Sequence, residues 1–170
     1  KELEKLGDNA DNMLQSESLY LYFIQLGRCM YTGKPIDIAK LKSSEYNVDH
    51  IYPRAYVKDD SILNNKVLVL STKNGEKGDK FPIPSEWRTD MKLYWEMLRK
   101  NNLITEEKYK RLTRITPFTD EEKLGFISRQ LVETRQSTKA LAEVLNKAYS
   151  SEIVYVKAGL VSELRHKYDI

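Results

Sequence analysis

Tyr46-Asn47-Val48-Asp49-His50-Ile51-Tyr52-Pro53 is the stretch on which the fold turns. Val48 and Ile51 bracket an acid and a histidine, and the short apolar run reads as a strand. Pro53 closes it, because proline has no N–H to donate to a ladder. A second run, Val67-Leu68-Val69-Leu70, reads as the next strand, with the polar loop Lys58 to Asn65 between them. Neighbouring strand residues point to opposite faces, so Asp49 and His50 can serve one centre only where the strand ends or twists. Pro53 supplies such an end.

Downstream, Lys73-Asn74-Gly75-Glu76-Lys77-Gly78-Asp79-Lys80 is polar with two glycines, and helices follow. Ser85 is expected to cap one in which Trp87, Met91, Tyr94 and Leu98 keep a helical spacing. Thr105 opens a shorter helix carrying Tyr109 and Leu112. Thr119 with Glu122 makes a capping-box pattern ahead of Leu124, Ile127, Leu131, Thr138, Leu141 and Leu145, one long helix or two joined end to end. Upstream, Leu19, Tyr22, Phe23 and Leu26 recur at i, i+3, i+4 and i+7, with Ser16 or Ser18 as cap and Gly27 as stop. A weaker helical turn surrounds Leu3 and Leu6, and Ile153-Val154-Tyr155-Val156 is strand-like without a hairpin partner. The aromatics of these helices read as core, and no internal repeat is present.

The 170 residues suit one domain with an appendage. At 41% hydrophobic and 31% charged, with 7 Gly and 5 Pro, the chain can bury a core. One Cys excludes an intrachain disulfide. Together with two His it excludes structural zinc, which needs about four Cys or His ligands. The net charge of +3 announces no polyanion partner by itself, although the positive excess falls between residues 21 and 140. No stretch reaches the roughly 18 apolar residues of a membrane span, and no signal segment opens the chain, which reads as soluble and intracellular. Starting at Lys1 without Met, it reads as an excised piece of something longer.

Of the two histidines, His166 lies in the charged run Glu163 to Lys167 and reads as surface. His50 is different. Phosphodiester hydrolysis needs a base to activate water and a divalent cation held by oxygen ligands. His50 can be neutral near pH 7 and accept a proton. Asp49 and Asn74 supply a carboxylate and an amide oxygen of the kind Mg2+ prefers. On residue chemistry alone, a structural role for this trio in a helical nucleic-acid-binding module stands equally open.

Beyond these residues, Lys58-Asp59-Asp60-Ser61-Ile62, Asn65-Lys66-Val67-Leu68 and Lys77-Gly78-Asp79 extend the pattern. So do Leu19-Tyr20-Leu21-Tyr22, Gly27-Arg28, Gly125-Phe126-Ile127 and Arg129-Gln130-Leu131-Val132-Glu133-Thr134-Arg135-Gln136. Together, from about Leu19 to Tyr149, they resemble the HNH nuclease domain of the CRISPR type II single-protein effector, an RNA-guided DNA endonuclease. Homing endonucleases and colicins share the short HNH core but not the late helix motif.

The resemblance implies an α+β fold, a ββα-metal (HNH, His-Me finger) core with a small two-stranded antiparallel sheet inside a mostly helical domain. It implies His50 as general base, Asp49 and Asn74 as ligands of a single Mg2+ for which Mn2+ can substitute, and Asn65 as the auxiliary catalytic asparagine. Asn64 is the alternative, because the loop is one residue longer than in several relatives. Thr72 stands where some members carry an acid. The implied substrate is the DNA strand paired with the guide RNA, recognised through duplex shape while base pairing reads sequence. Lys58, Lys66, Lys73 and Lys77 are candidate phosphate contacts. Residues 1–136 would be the HNH domain, 137–152 an outgoing hinge, and 153–170 the start of a RuvC-like region that packs poorly in isolation. The implied partners are the guide RNA through a parent protein, the RuvC-like domain of the same polypeptide and, as a further candidate, an anti-CRISPR inhibitor. The implied setting is the bacterial cytoplasm, with no membrane.

Overall fold

The computed structural model describes residues 16–149 and Lys167. The expected turn around Leu3 and Leu6, the Ile153–Val156 run, His166 and the tail from 153 lie outside the described residues. Two compact units divide the chain, Lys1–Lys123 and Leu124–Ile170.

In the first unit, helix α1 (Glu17–Ile24) leads through a turn-rich segment and a short 3-10 turn, Ile38–Lys40, into strand β1 (Tyr46–His50). Strand β2 (Lys66–Leu70) pairs antiparallel with it, from Tyr46 opposite Leu70 to His50 opposite Lys66. Helix α2 (Ser71–Lys77) follows at once and completes the ββα unit. Helices α3 (Ser85–Lys100) and α4 (Glu106–Thr113) and the start of α5 (Asp120–Ala148) close the sequence. The mixed α and β composition, two-stranded sheet and ββα order are those expected.

Val67, Leu68 and Val69 are all buried, which is why β2 reads as a continuous apolar run rather than an alternating one. Its outer edge is covered by groups from the α1 exit. The Gln25 amide donates to Leu68 O at 2.8 Å and accepts from Leu68 N at 2.7 Å, Met30 N donates to Leu68 O, and Leu70 N donates to Cys29 Sγ. The edge that a two-stranded sheet would otherwise expose is thereby satisfied. Trp95 is fully buried beneath it and its indole N–H donates to Met30 O at 2.9 Å. At about 200 Å² of ring surface, that burial is worth about 5 kcal/mol in gross transfer terms.

Capping follows the sequence in part. The hydroxyl of Ser16 accepts from Leu19 N, that of Thr105 from Lys108 N, and Thr119 and Glu122 close their box in both directions. Ser85 does not cap α3: Pro84 holds that position, without a side-chain bond. The buried face of α3 is Met91, Trp95 and Leu98, rotated from the expected one so that Trp87 and Tyr94 are half-buried. Helix α1 stops at Ile24, before Gly27, and leaves Phe23 and Leu26 exposed. Gly27 still matters: its φ is +67°, and a Cβ there would lie 2.9 Å from the Tyr22 hydroxyl. Much of the polar stretch from Lys73 is helical, because Gly75 is tolerated in α2 and Gly78, at φ +50°, ends it.

In the second unit α5 runs on unbroken through the expected boundary at 136, and Leu124, Ile127, Leu131, Leu141 and Val144 are exposed along it. Among the described residues, no helix is long and apolar enough to cross a membrane.

Candidate active site

The end of β1 and the first turns of α2 face one cleft of about 410 Å³, lined by Asn47, Asp49, His50, Arg54, Asn74 and Asp79 among others. Asp49 and His50 are consecutive on the strand and Asn74 comes from the helix, so the ββα turn brings a helix residue to a strand pair distant from it in sequence.

Asp49 is buried with one carboxylate oxygen committed. Oδ2 accepts from the Tyr31 hydroxyl at 2.6 Å and lies 2.9 Å from Lys77 Nζ. Burial first, then the Asp49 charge, pushes the Tyr31 hydroxyl well above its ordinary range, so it remains a donor. No described donor reaches Asp49 Oδ1. Asn74 is half-buried, and its side chain makes no hydrogen bond to a described residue. A buried anion clamped at one oxygen, and an amide left unclaimed, form an oxygen donor pair for a hard cation. Among the described residues no cluster of three His, Cys, Asp or Glu side chains is present, so a cation held here would complete its shell with water and phosphate oxygens.

His50 Nε2 lies 2.7 Å from Asp60 Oδ1, and Lys77 Nζ donates to His50 O at 2.8 Å. Asn65 is buried and spends its whole side chain on backbone. Oδ1 accepts from Tyr52 N at 2.8 Å, and Nδ2 donates to Tyr52 O at 3.1 Å and Asp59 O at 2.8 Å. It therefore braces the loop behind His50 and does not line the cleft. Asn64 turns away, accepting from the Thr105 hydroxyl.

The four lysines separate. Lys77, expected at phosphate, is fully buried and bound to Asp49 and His50, which corrects that expectation: no face of its ammonium is available to a backbone. Lys66 pairs with Glu17 at 2.8 Å, and Lys73 pairs with Glu76 and sits over the Trp87 ring. Lys58 is exposed.

Sequence reasoning missed Tyr31 and Asp60, and misread Lys77. The i, i+3 spacing from Asn74 to Lys77 on α2 was a usable signal for one shared face. Tyr31 lies in a turn and Asp60 in a loop, where no periodicity points.

Residues 29–83 match a family model described as HNH endonuclease. The chain is 41% identical over 94% of its length to the CRISPR-associated endonuclease Cas9 of Streptococcus mutans and 40% identical over 92% to that of Listeria innocua. It spans 13% and 12% of those curated relatives. A solved structure of Streptococcus thermophilus Cas9 in complex with the GGAA PAM superposes with a TM-score of 0.59 at 27% identity, covering 93% of this chain and 16% of that one. With the ββα cleft in place, the chain belongs to the HNH endonuclease domains of the CRISPR-associated Cas9 family.

Proposed function

We propose that this domain is a Mg2+-dependent endodeoxyribonuclease that cuts the DNA strand paired with a guide RNA, within a longer RNA-guided protein that also carries a RuvC-like nuclease domain and acts in the bacterial cytoplasm. The observation that carries the reading is the division of labour in the cleft: Asp49 Oδ1 and the Asn74 amide are left open beside His50, while Asp49 Oδ2 and the Asn65 side chain are spent on the protein itself. Asp49 and Asn74 would hold one Mg2+, which when bound supplies charge neutralisation at the scissile phosphate. His50 takes a proton from the attacking water as the new P–O bond forms. The P–O3′ bond breaks, its electron pair leaves with O3′, and O3′ is protonated by solvent, which yields 3′-hydroxyl and 5′-phosphate ends. Asn65 serves this by fixing the backbone at Tyr52 and Asp59, and Lys58 is the remaining candidate for a phosphate contact.

The test is His50→Ala in a full-length, guide-loaded protein carrying this segment. Cleavage of the guide-paired strand is expected to fall by about 10²–10⁴-fold, the range for a positioned base, with DNA binding intact. Unchanged cutting of that strand would leave a binding module as the better account.

A further inference from the structure

We propose that Asp60 is the positioning residue of His50: its carboxylate holds the imidazole at Nε2, so that Nδ1 is the nitrogen left to take the proton. The inference rests on the reading of His50 as base.

A carboxylate can only accept, so an Oδ1 at 2.7 Å from Nε2 places a proton on Nε2, and in the neutral ring that leaves the lone pair on Nδ1. Nδ1 has no hydrogen-bond partner among the described residues. Both sides of the contact are held. On the strand side, Lys77 fixes the His50 carbonyl. On the loop side, Asn65 bonds Asp59 O, Arg111 pairs with Asp59 Oδ2 at 2.6 Å, and Ser61 N bonds Asp59 Oδ1 at 2.9 Å, so the residues on either side of Asp60 are pinned.

Asp60 itself caps nothing and bonds no backbone. Its side chain, 58% exposed, reaches His50, with Lys66 Nζ at 3.9 Å and Arg54 Nε at 4.0 Å behind it. The bond from His50 is the foremost cause holding this carboxyl below its ordinary range, and the two cations add to it. An exposed acid whose one hydrogen bond goes to the imidazole does for His50 what the buried aspartate does in a serine-protease triad, where Asp→Asn costs about 10⁴ in turnover by favouring the wrong tautomer.

Asp60→Asn keeps the shape but can donate to Nε2, which favours the proton on Nδ1. Because the site is partly exposed and water competes, single-turnover cutting by the guide-loaded full-length protein should fall about 10–100-fold, less than the roughly 10²–10⁴-fold expected for loss of the base itself, with target binding unchanged and Asp60→Glu recovering part of the rate. Two-bond 1H–15N NMR of the 170-residue chain labelled at histidine should show an Nε2–H tautomer for His50 that is lost in Asp60→Asn, with His166 as internal reference. A wild-type rate in Asp60→Asn beside an inactive His50→Ala, or an unchanged His50 tautomer, overturns the positioning role alone. A normal rate in His50→Ala overturns the base assignment and this proposal together.

Discussion

The loop joining β1 to β2 and the helix that follows β2 each contribute an asparagine, and the fold uses the two in opposite ways. Asn65, in the loop, is fully buried with Oδ1 and both Nδ2 hydrogens on backbone groups of Tyr52 and Asp59. Asn74, on α2, lines the cleft with its amide unspent. Residue type does not distinguish a working side chain from a bracing one. Unused hydrogen-bonding capacity next to a cleft does, because a fold has no reason to leave it open.

Between the two asparagines the larger effect on cutting should come from Asn74→Ala, which on this reading removes a cation ligand and nothing else. Cutting should fall about 10³-fold, equivalent to about 4 kcal/mol in the barrier, while the unfolding free energy read by urea denaturation stays within about 0.5 kcal/mol of wild type. A large loss of stability would erase the distinction between the two asparagines. Asn65→Ala should show the reverse. Stranding the Tyr52 N–H and two carbonyls costs about 3 kcal/mol of stability at about 1 kcal/mol or more for each bond, read by urea denaturation. In protein still folded, cutting should drop less than it does for Asn74→Ala, and an equal drop would move Asn65 to the chemistry.

The smallest effect sharpens the same contrast on the far side of the loop. Lys108 is buried and donates to Ile62 O and Lys66 O, and burial, then the nearby Arg111 guanidinium, pushes its ammonium down to about 7. The unfolded chain keeps that proton up to the ordinary 10.5. Between about 7 and 10.5 the unfolded state therefore binds the extra proton and this group raises stability with pH, by at most about 1.4 kcal/mol per unit, whereas below 7 its contribution is flat. Comparing denaturation at pH 7 and pH 9, Lys108→Met should remove that slope. Parallel pH curves for the two proteins would show that Lys108 remains charged in the loop.

Much of the fold was legible because its signals are local. The Pro53 stop, the apolar Val67–Leu70 run and the Thr119–Glu122 box each act within a few residues. The cleft residues Asp49, His50 and Asn74 could be named together from their ligand and base chemistry and from the resemblance of the segments that carry them. What escaped depends on contacts distant in the chain. Lys77 looks like a surface lysine until α2 turns it beneath β1, and Tyr31 reaches Asp49 across 18 positions. Trp95 rather than Tyr94 fills the core because the rotation of α3 is set by the Met30 carbonyl that its indole bonds. A helical period fixes the width of a buried face but not its angle.

The Gln25 amide on Leu68 also bears on how the domain could be blocked. A strand-mimicking peptide gains affinity by pairing with free backbone groups at a sheet edge. At Leu68 those groups are already bonded on the outer side by a side chain that belongs to the fold. A ligand docking there would have to break two short hydrogen bonds before making any, so backbone mimicry has no foothold on β2. Selective chemistry against this domain would have to read the cleft's polar side chains instead.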